Sequence, residues 1–313
     1  MLDAISNHIK QTITQWGKED SIILNQEMHQ INQQNFHTIP SSNEDKTIAF
    51  IDGGQAEILQ TGNFCLSLIR VAIVIFKKNI KIGQKLHEFY LFTSAVYHHG
   101  ELYYQARTFF KDKILVREQD LFVSSNDPSL KSGLERAPVQ KISSMARRFA
   151  ELALAAESNS DFIILDGALD KTYINEENYL KLLNKKASAL AKTSSLFTVN
   201  GNSPATLLKQ LHSKETWFYA ITENTALVKL HPQTNHIFRF EGNREILPFL
   251  ISNSHDALFL GYPYGLMLAD KLARVSHQEK NSLIARLLLK SDNKIISEYL
   301  QNTNAHEILD NLG

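Results

Sequence analysis

The sequence predicts a mixed α/β domain in which an antiparallel meander is followed by parallel strands, flanked by helices, with a further helix at the N-terminus. Apolar runs rich in β-branched and aromatic residues crowd residues 46–110, and from residue 139 such runs alternate with stretches of helical period. Two of the runs end alike, F-I-D-G-G at Asp52 and F-I-I-L-D-G-A-L at Asp166. Strands in succession and then strands alternating with helices are the pattern of one mixed sheet.

Leu2, Ile5, Ile9, Ile13 and Trp16 recur at spacings of three and four, which predicts an amphipathic helix. The Gln/Asn-rich run 25–36 extends it, so residues 1–37 read as a helical arm covering another part of the fold or a second subunit. Residues 38–45 read as a linker and 38–313 as one domain. The first strand is expected to stop at Asp52, with a tight turn at Gly53-Gly54. Residues 63–76 and 86–97 follow as strands about a polar turn at 77–83. Residues 101–110 add a strand or a loop, and 122–137, broken by Asp127-Pro128 and Ser132-Gly133, read as an exposed loop.

Ile142, Met145, Phe149, Leu152 and Ala156 mark a helix over 139–158. A strand over 161–165 then ends in Asp166-Gly167, followed by a helix at 176–192, a strand at 195–199, the turn Asn200-Gly201-Asn202 and a helix from Pro204. Strands at 217–221, 226–230 and 236–240 precede a helix at 245–253 and a last helical face through Leu266, Ala269 and Ala273, with Asp270 beside it.

The 313 residues are 43% apolar, enough for a packed core, and 33 basic side chains balance 33 acidic ones. Net charge therefore neither supports nor excludes nucleic acid. No apolar stretch approaches the length of about 18 residues needed to span a membrane. Residues 1–23 lack the layout of an export signal. The single Cys65 reads as core filler in a reducing compartment, so the expectation is a cytoplasmic protein with no membrane partner.

Hydrolysis of a phosphodiester without a covalent intermediate uses two divalent cations roughly 3.5–4 Å apart. Hard cations take oxygen ligands, so carboxylates from several elements must converge, and magnesium or manganese suits them better than zinc. The candidates are Asp52 and Asp166 at strand ends, Glu151 on the helix between them, and Asp270 on the last helix. Glu157 competes with Glu151, and either aspartate could instead cap an Asp-Gly turn.

The motifs F-I-D-G-G, R-R-F-A-E, F-I-I-L-D-G-A-L and G-Y-P-Y-G-L-M-L-A-D-K-L-A-R-V, in this order over residues 45–280, resemble the NurA family of DNA-end-processing nucleases, which have a ribonuclease H-like fold. The resemblance implies a deoxyribonuclease using two ions of manganese or magnesium, which degrades DNA from 5′ ends and cuts single strands. It further implies a homodimer working with a hexameric HerA-type ATPase in end resection during double-strand break repair. By this resemblance Asp52, Glu151 and Asp166 ligate metal, and Asp270 completes the site where relatives often have His. Relatives commonly show a Lys after the strand placed here at 195–199, whereas Asn200-Gly201-Asn202 stands in this chain, which puts a basic contact to the phosphate in doubt and leaves a weakened or inactive member as the alternative.

Gly53 and Gly54 would let a phosphate approach the metals, and Arg147 with Arg148 could line a DNA path. Tyr262 and Tyr264 either stack on an unpaired base, a contact of about 1–3 kcal/mol, or pack the last helix onto the sheet. His98, His99, His231 and His236 read as loop residues. The rival functions are an inactive scaffold that docks the translocase and an actin-like ATPase, which would need two duplicated halves that the sequence does not show.

Overall fold

The computed structural model describes residues 1–15, 20–42, 44–192, 196–212, 214–289 and 294–303. Helix α1 (Leu2–Gln15) carries the expected apolar stripe, exposed at Leu2, Ile5, Ile9 and Ile13; Trp16 lies outside the described residues. The arm is not helical to residue 37. Asn25 and Gln26 take positive φ of 51° and 68°, closing a hairpin of β1 (Ser21–Leu24) and β2 (Glu27–Gln30), and β3 (Phe36–Thr38) follows. Two consecutive left-handed residues suit a two-residue hairpin turn and break a helix.

The meander is β4 (Thr47–Gln60), β5 (Phe64–Lys77), β6 (Ile80–His98) and β7 (Glu101–Phe110). The turn between β5 and β6 is tighter than expected, Lys78-Asn79 at φ 48° and 59°. Residues 122–137 are not an exposed loop: they supply β8 (Val123–Ser124) and bury Val123, Leu130 and Ala137 in the core.

Next come α2 (Lys141–Ala156), β9 (Phe162–Asp166), the single turn α3 (Glu177–Leu180) and β10 (Ala187–Ala191). The long helix expected at 176–192 is thus a short helix, a turn and a strand. The alanine-rich A-S-A-L-A run is fully buried between two neighbouring strands, and that burial overrides alanine's helix propensity. The remainder is β11 (Phe197–Thr198), α4 (Pro204–Leu211), β12 (Trp217–Ala220), β13 (Thr225–Lys229), β14 (Phe238–Gly242), α5 (Leu247–Ser252), α6 (Tyr264–Ala273), α7 (His277–Leu288) and α8 (Lys294–Thr303).

Among the described residues the strands form a main sheet of eleven, ordered β3-β12-β13-β14-β10-β9-β4-β5-β6-β7-β8, and a small sheet, β11-β1-β2. At the centre β4, β9 and β10 are mutually parallel, while β5, β6 and β7 continue antiparallel from β4. This is the ribonuclease H-like arrangement expected from the sequence, a meander joined through its first strand to parallel strands.

Successive strand residues face opposite sides. Ala49, Ile51, Ile163 and Leu165 pack under α2 with Met145, Phe149 and Leu152. Ile48, Phe50, Ile164 and Leu190 pack on the other face with Leu266 and Ala269 of α6. Beyond them α7 and α8 lie on Ile58, Leu59 and Leu68. Helix α6 comes so near that a Cβ on Gly265 would stand 2.1 Å from a ring carbon of Phe50. Gly265→Ala should therefore cost about 1–3 kcal/mol in denaturant unfolding; an unchanged midpoint contradicts this packing.

Candidate active site

Strand β4 does not end at Asp52. It runs on to Gln60, and Asp52, Gly53 and Gly54 pair with Ala72, Val71 and Arg70 of β5. What ends there is the neighbour on the other side, because the last β4–β9 pair is Ile51 with Leu165. The next residue on each strand is Asp52 and Asp166. Both share a face with Phe50 and Ile164, so the two carboxylates leave adjacent parallel strands, about 4.8 Å apart, toward α6.

Asp52 is 7% exposed, and its Oδ1 accepts the Gly53 N–H at 2.8 Å. Burial, then the charges of Asp166 and Glu151, push its carboxyl up to about 8, against the opposing pull of the Gly53 N–H and Lys192.

Glu151 enters from the opposite helix layer because Gly53 has no side chain. A Cβ there would lie 2.4 Å from Glu151 Oε1 and 2.9 Å from Arg147 Cγ. Arg147 Nη1 donates to the Gly53 carbonyl at 2.8 Å and stands 3.7 Å from Glu151 Oε1, an oxygen without a hydrogen-bond partner. Burial raises the Glu151 pKa, Arg147 and Arg148 lower it, and Asp166 raises it again. On the other face a Cβ on Gly54 would lie 2.3 Å from the Ala273 carbonyl oxygen. The glycines therefore admit helices, not a phosphate, which corrects their expected substrate role. Glu157 is on the surface, paired with Lys113 at 2.6 Å, so Glu151 is the acid that α2 supplies.

Lys192, the residue after β10, completes the cluster, its Nζ 2.5 Å from Asp166 Oδ2 and 5.3 Å from the Tyr262 ring centroid. Burial works against its charge, but Asp166, Asp52 and Asp270 outweigh burial and raise its pKa. A basic side chain thus stands beside the carboxylates. The sequence predicts a strand at 195–199, but Ser195 lies outside the described residues and β11 pairs with β1 in the small sheet. The strand on which the doubt over a phosphate contact rests is therefore not a neighbour of the carboxylates. The signal was available: a five-residue apolar run bounded by lysines is also what a buried strand looks like.

Tyr262 is wholly buried, which rules out stacking on a base. Its hydroxyl is directed at Asp166 without full hydrogen-bond geometry, and its pKa is raised by burial and by Asp166, Asp52 and Asp270. Tyr264 sits at the far end of α6, edge-on to Phe76 at 6.3 Å, away from the carboxylates. Asp270 is 38% exposed at the rim, accepting from Arg274 Nη2 at 2.7 Å. His98 packs on His99, His231 on His255 and His236 on Phe259, outside this cluster.

Among the described residues no three His, Cys, Asp or Glu side chains stand in a ready coordination arrangement. Lysine and arginine side chains hold the acids instead. The donor set nevertheless fits a hard divalent cation: oxygens only, a buried Asp52 whose pKa the charge of half-buried Asp166 helps to raise, and one carboxylate oxygen of Glu151 unpartnered.

The chain is similar in fold to a NurA nuclease. The protein from Sulfolobus solfataricus matches with a TM-score of 0.47 at 15% identity, over 96% of this chain and 93% of that one. Endonuclease V of Ciona intestinalis, solved with a 23mer DNA containing an inosine, matches with a TM-score of 0.42 at 10% identity, over 78% and 88%. Human endonuclease V gives 0.39 at 11%, over 80% and 93%. No protein-family model and no curated protein sequence matches.

The raised pKa of Asp52 has a thermodynamic consequence. Between its ordinary value of 3.8 and about 8 the folded metal-free protein keeps a proton that the unfolded chain has lost. Stability of the metal-free protein therefore falls as pH rises through this window. Asp52→Asn should flatten that slope and stabilise the metal-free protein at pH 8 by about 2–4 kcal/mol; equal slopes in urea titrations of the two proteins contradict the assignment.

Proposed function

We propose that this chain is a metal-dependent deoxyribonuclease that hydrolyses phosphodiesters at the Asp52–Asp166 pair. The observation that carries the reading is the placement of two carboxyl groups, buried Asp52 and half-buried Asp166, on adjacent parallel strands, with Glu151 brought to them across Gly53. Ionising both acids of this pair destabilises the fold unless a cation relieves the repulsion. Two manganese or magnesium ions held there would activate water and stabilise the leaving oxygen.

The side chains divide the work. Asp52, Asp166 and Glu151 supply the ligating oxygens. Lys192, on a partly exposed stem, can exchange Asp166 for a phosphate oxygen and neutralise charge that develops on it. Tyr262 closes the cluster from the interior and orients Asp166. Arg147, anchored on the Gly53 carbonyl, offers the rest of its guanidinium to a phosphate, and Asp270 at the rim completes the donor set.

Digestion from 5′ ends, cutting of single strands, the HerA-type partner, the homodimer and the role in break repair rest on the motif resemblance. The exposed apolar stripe of α1 suits a second subunit. The test is cleavage of a labelled single-stranded DNA by purified protein with manganese. Asp52→Ala, Asp166→Ala and Lys192→Ala should each lower turnover by about 100-fold or more. Equal turnover in the Asp52 variant refutes the assignment; no cleavage by any protein, with or without added translocase, favours the scaffold.

A further inference from the structure

The acids Glu151 and Asp166 belong to different elements, and the Arg148 guanidinium ties the helix of the first to the loop that follows the second. Arg148 lies on α2 next to Arg147, and its charge acts on Glu151. Its Nη2 donates to the carbonyl of Ala168 at 2.5 Å, in the loop that leaves Asp166, and its Nε donates to Glu176 Oε1 at 2.8 Å. Glu176 is wholly buried, and its Oε2 accepts the N–H groups of Thr172 and Tyr173 at 2.7 and 2.8 Å. From the other side, Glu241 Oε2 accepts the Leu169 N–H at 2.6 Å, and Arg239 reaches Asp170 at 2.5 Å.

The loop from 167 to 175 is thus held at five of its residues, although Asp170, Lys171 and Thr172 face solvent. It begins at Gly167, whose φ of +108° suits glycine and whose N–H also donates to the Leu190 carbonyl at 3.1 Å. A buried ion pair is poor evidence of stabilisation, since apolar replacements of similar volume are often equally stable or better. What a planar guanidinium does supply is fixed geometry toward two acceptors at once, which neither lysine nor an apolar side chain reproduces.

We propose that Arg148 and Glu176 are positioning residues that fix the metal-binding carboxylate of Asp166 relative to that of Glu151. This rests on the metal-dependent nuclease reading above. Neither residue need touch substrate or metal. Their effect passes through the loop carbonyl at Ala168 and through the α2 backbone to the ligands.

Metal affinity of the folded protein is then the property that distinguishes a positioning role from a structural one. The double variant R148M/E176L replaces the pair by apolar side chains, and Glu176→Asp keeps the charge but shortens the reach. Manganese binding is measured by titration calorimetry on the full chain, with thermal unfolding of the same samples. We expect both variants to lose some thermal stability, because the buried partners of Glu176 are left unpaired, and, at temperatures where each is fully folded, to bind manganese about 10–100-fold more weakly, the range typical of residues that support metal ligands. A purely structural role instead has affinity unchanged in every variant that folds, so parent-like binding by Glu176→Asp or by the double variant overturns the proposal. If the parent protein binds no manganese, or Asp52→Ala binds it equally well, the metal reading itself fails and the positioning role with it.

Discussion

Parallel pairing of β4 with β9 is the constraint on which the site depends. The pairing stops one residue short of an aspartate on each strand, so the sheet sets the two carboxylates side by side before any side chain has chosen a rotamer. A shift of register by one residue would send one of them to the α2 face and bury Ile51 or Leu165 on the wrong side. The apolar residues that precede the aspartates therefore fix the register, and the register fixes the acid pair. The glycines after Asp52 extend the same logic to the helices: Gly53 brings in α2 with Glu151, and Gly54 brings in the end of α6 that follows Asp270.

Charge balance is the second theme. The cluster gathers Asp52, Glu151, Asp166 and Asp270, answered by Arg147, Arg148, Lys192 and Arg274. The answer is uneven. Asp166 and Asp270 each have a close cation, whereas Asp52 has only a backbone N–H and the more distant Lys192, and Glu151 has one oxygen without a partner. The deficit falls on the two most buried acids, where relief by a bound cation would count most.

Much of this was legible in the sequence, and the failures have physical causes. Asp52 and Asp166 stood out as candidates because strands buried on both faces write themselves as unbroken apolar runs, and each aspartate directly follows such a run. Gly53-Gly54 was read as a turn because glycine signals both sharp bends and close backbone contact, and only the packed helices distinguish the two. Strand β10 was taken for a helix because A-S-A-L-A has helical composition, and that error hid Lys192. Tyr262 looked like a base-stacking residue, but nothing local in G-Y-P-Y tells which tyrosine the core will take. Arg148 and Glu176 could not be paired from sequence at all, since their contact depends on how the loop after Asp166 folds back on α2.

The most direct measurement is the anomalous electron density of crystals soaked in manganese, collected at the metal's absorption edge. The structure calls for a peak between the carboxyl groups of Asp52 and Asp166, with the Lys192 ammonium displaced from Asp166. Density that leaves Lys192 on Asp166 and shows no manganese at the pair would contradict the central claim.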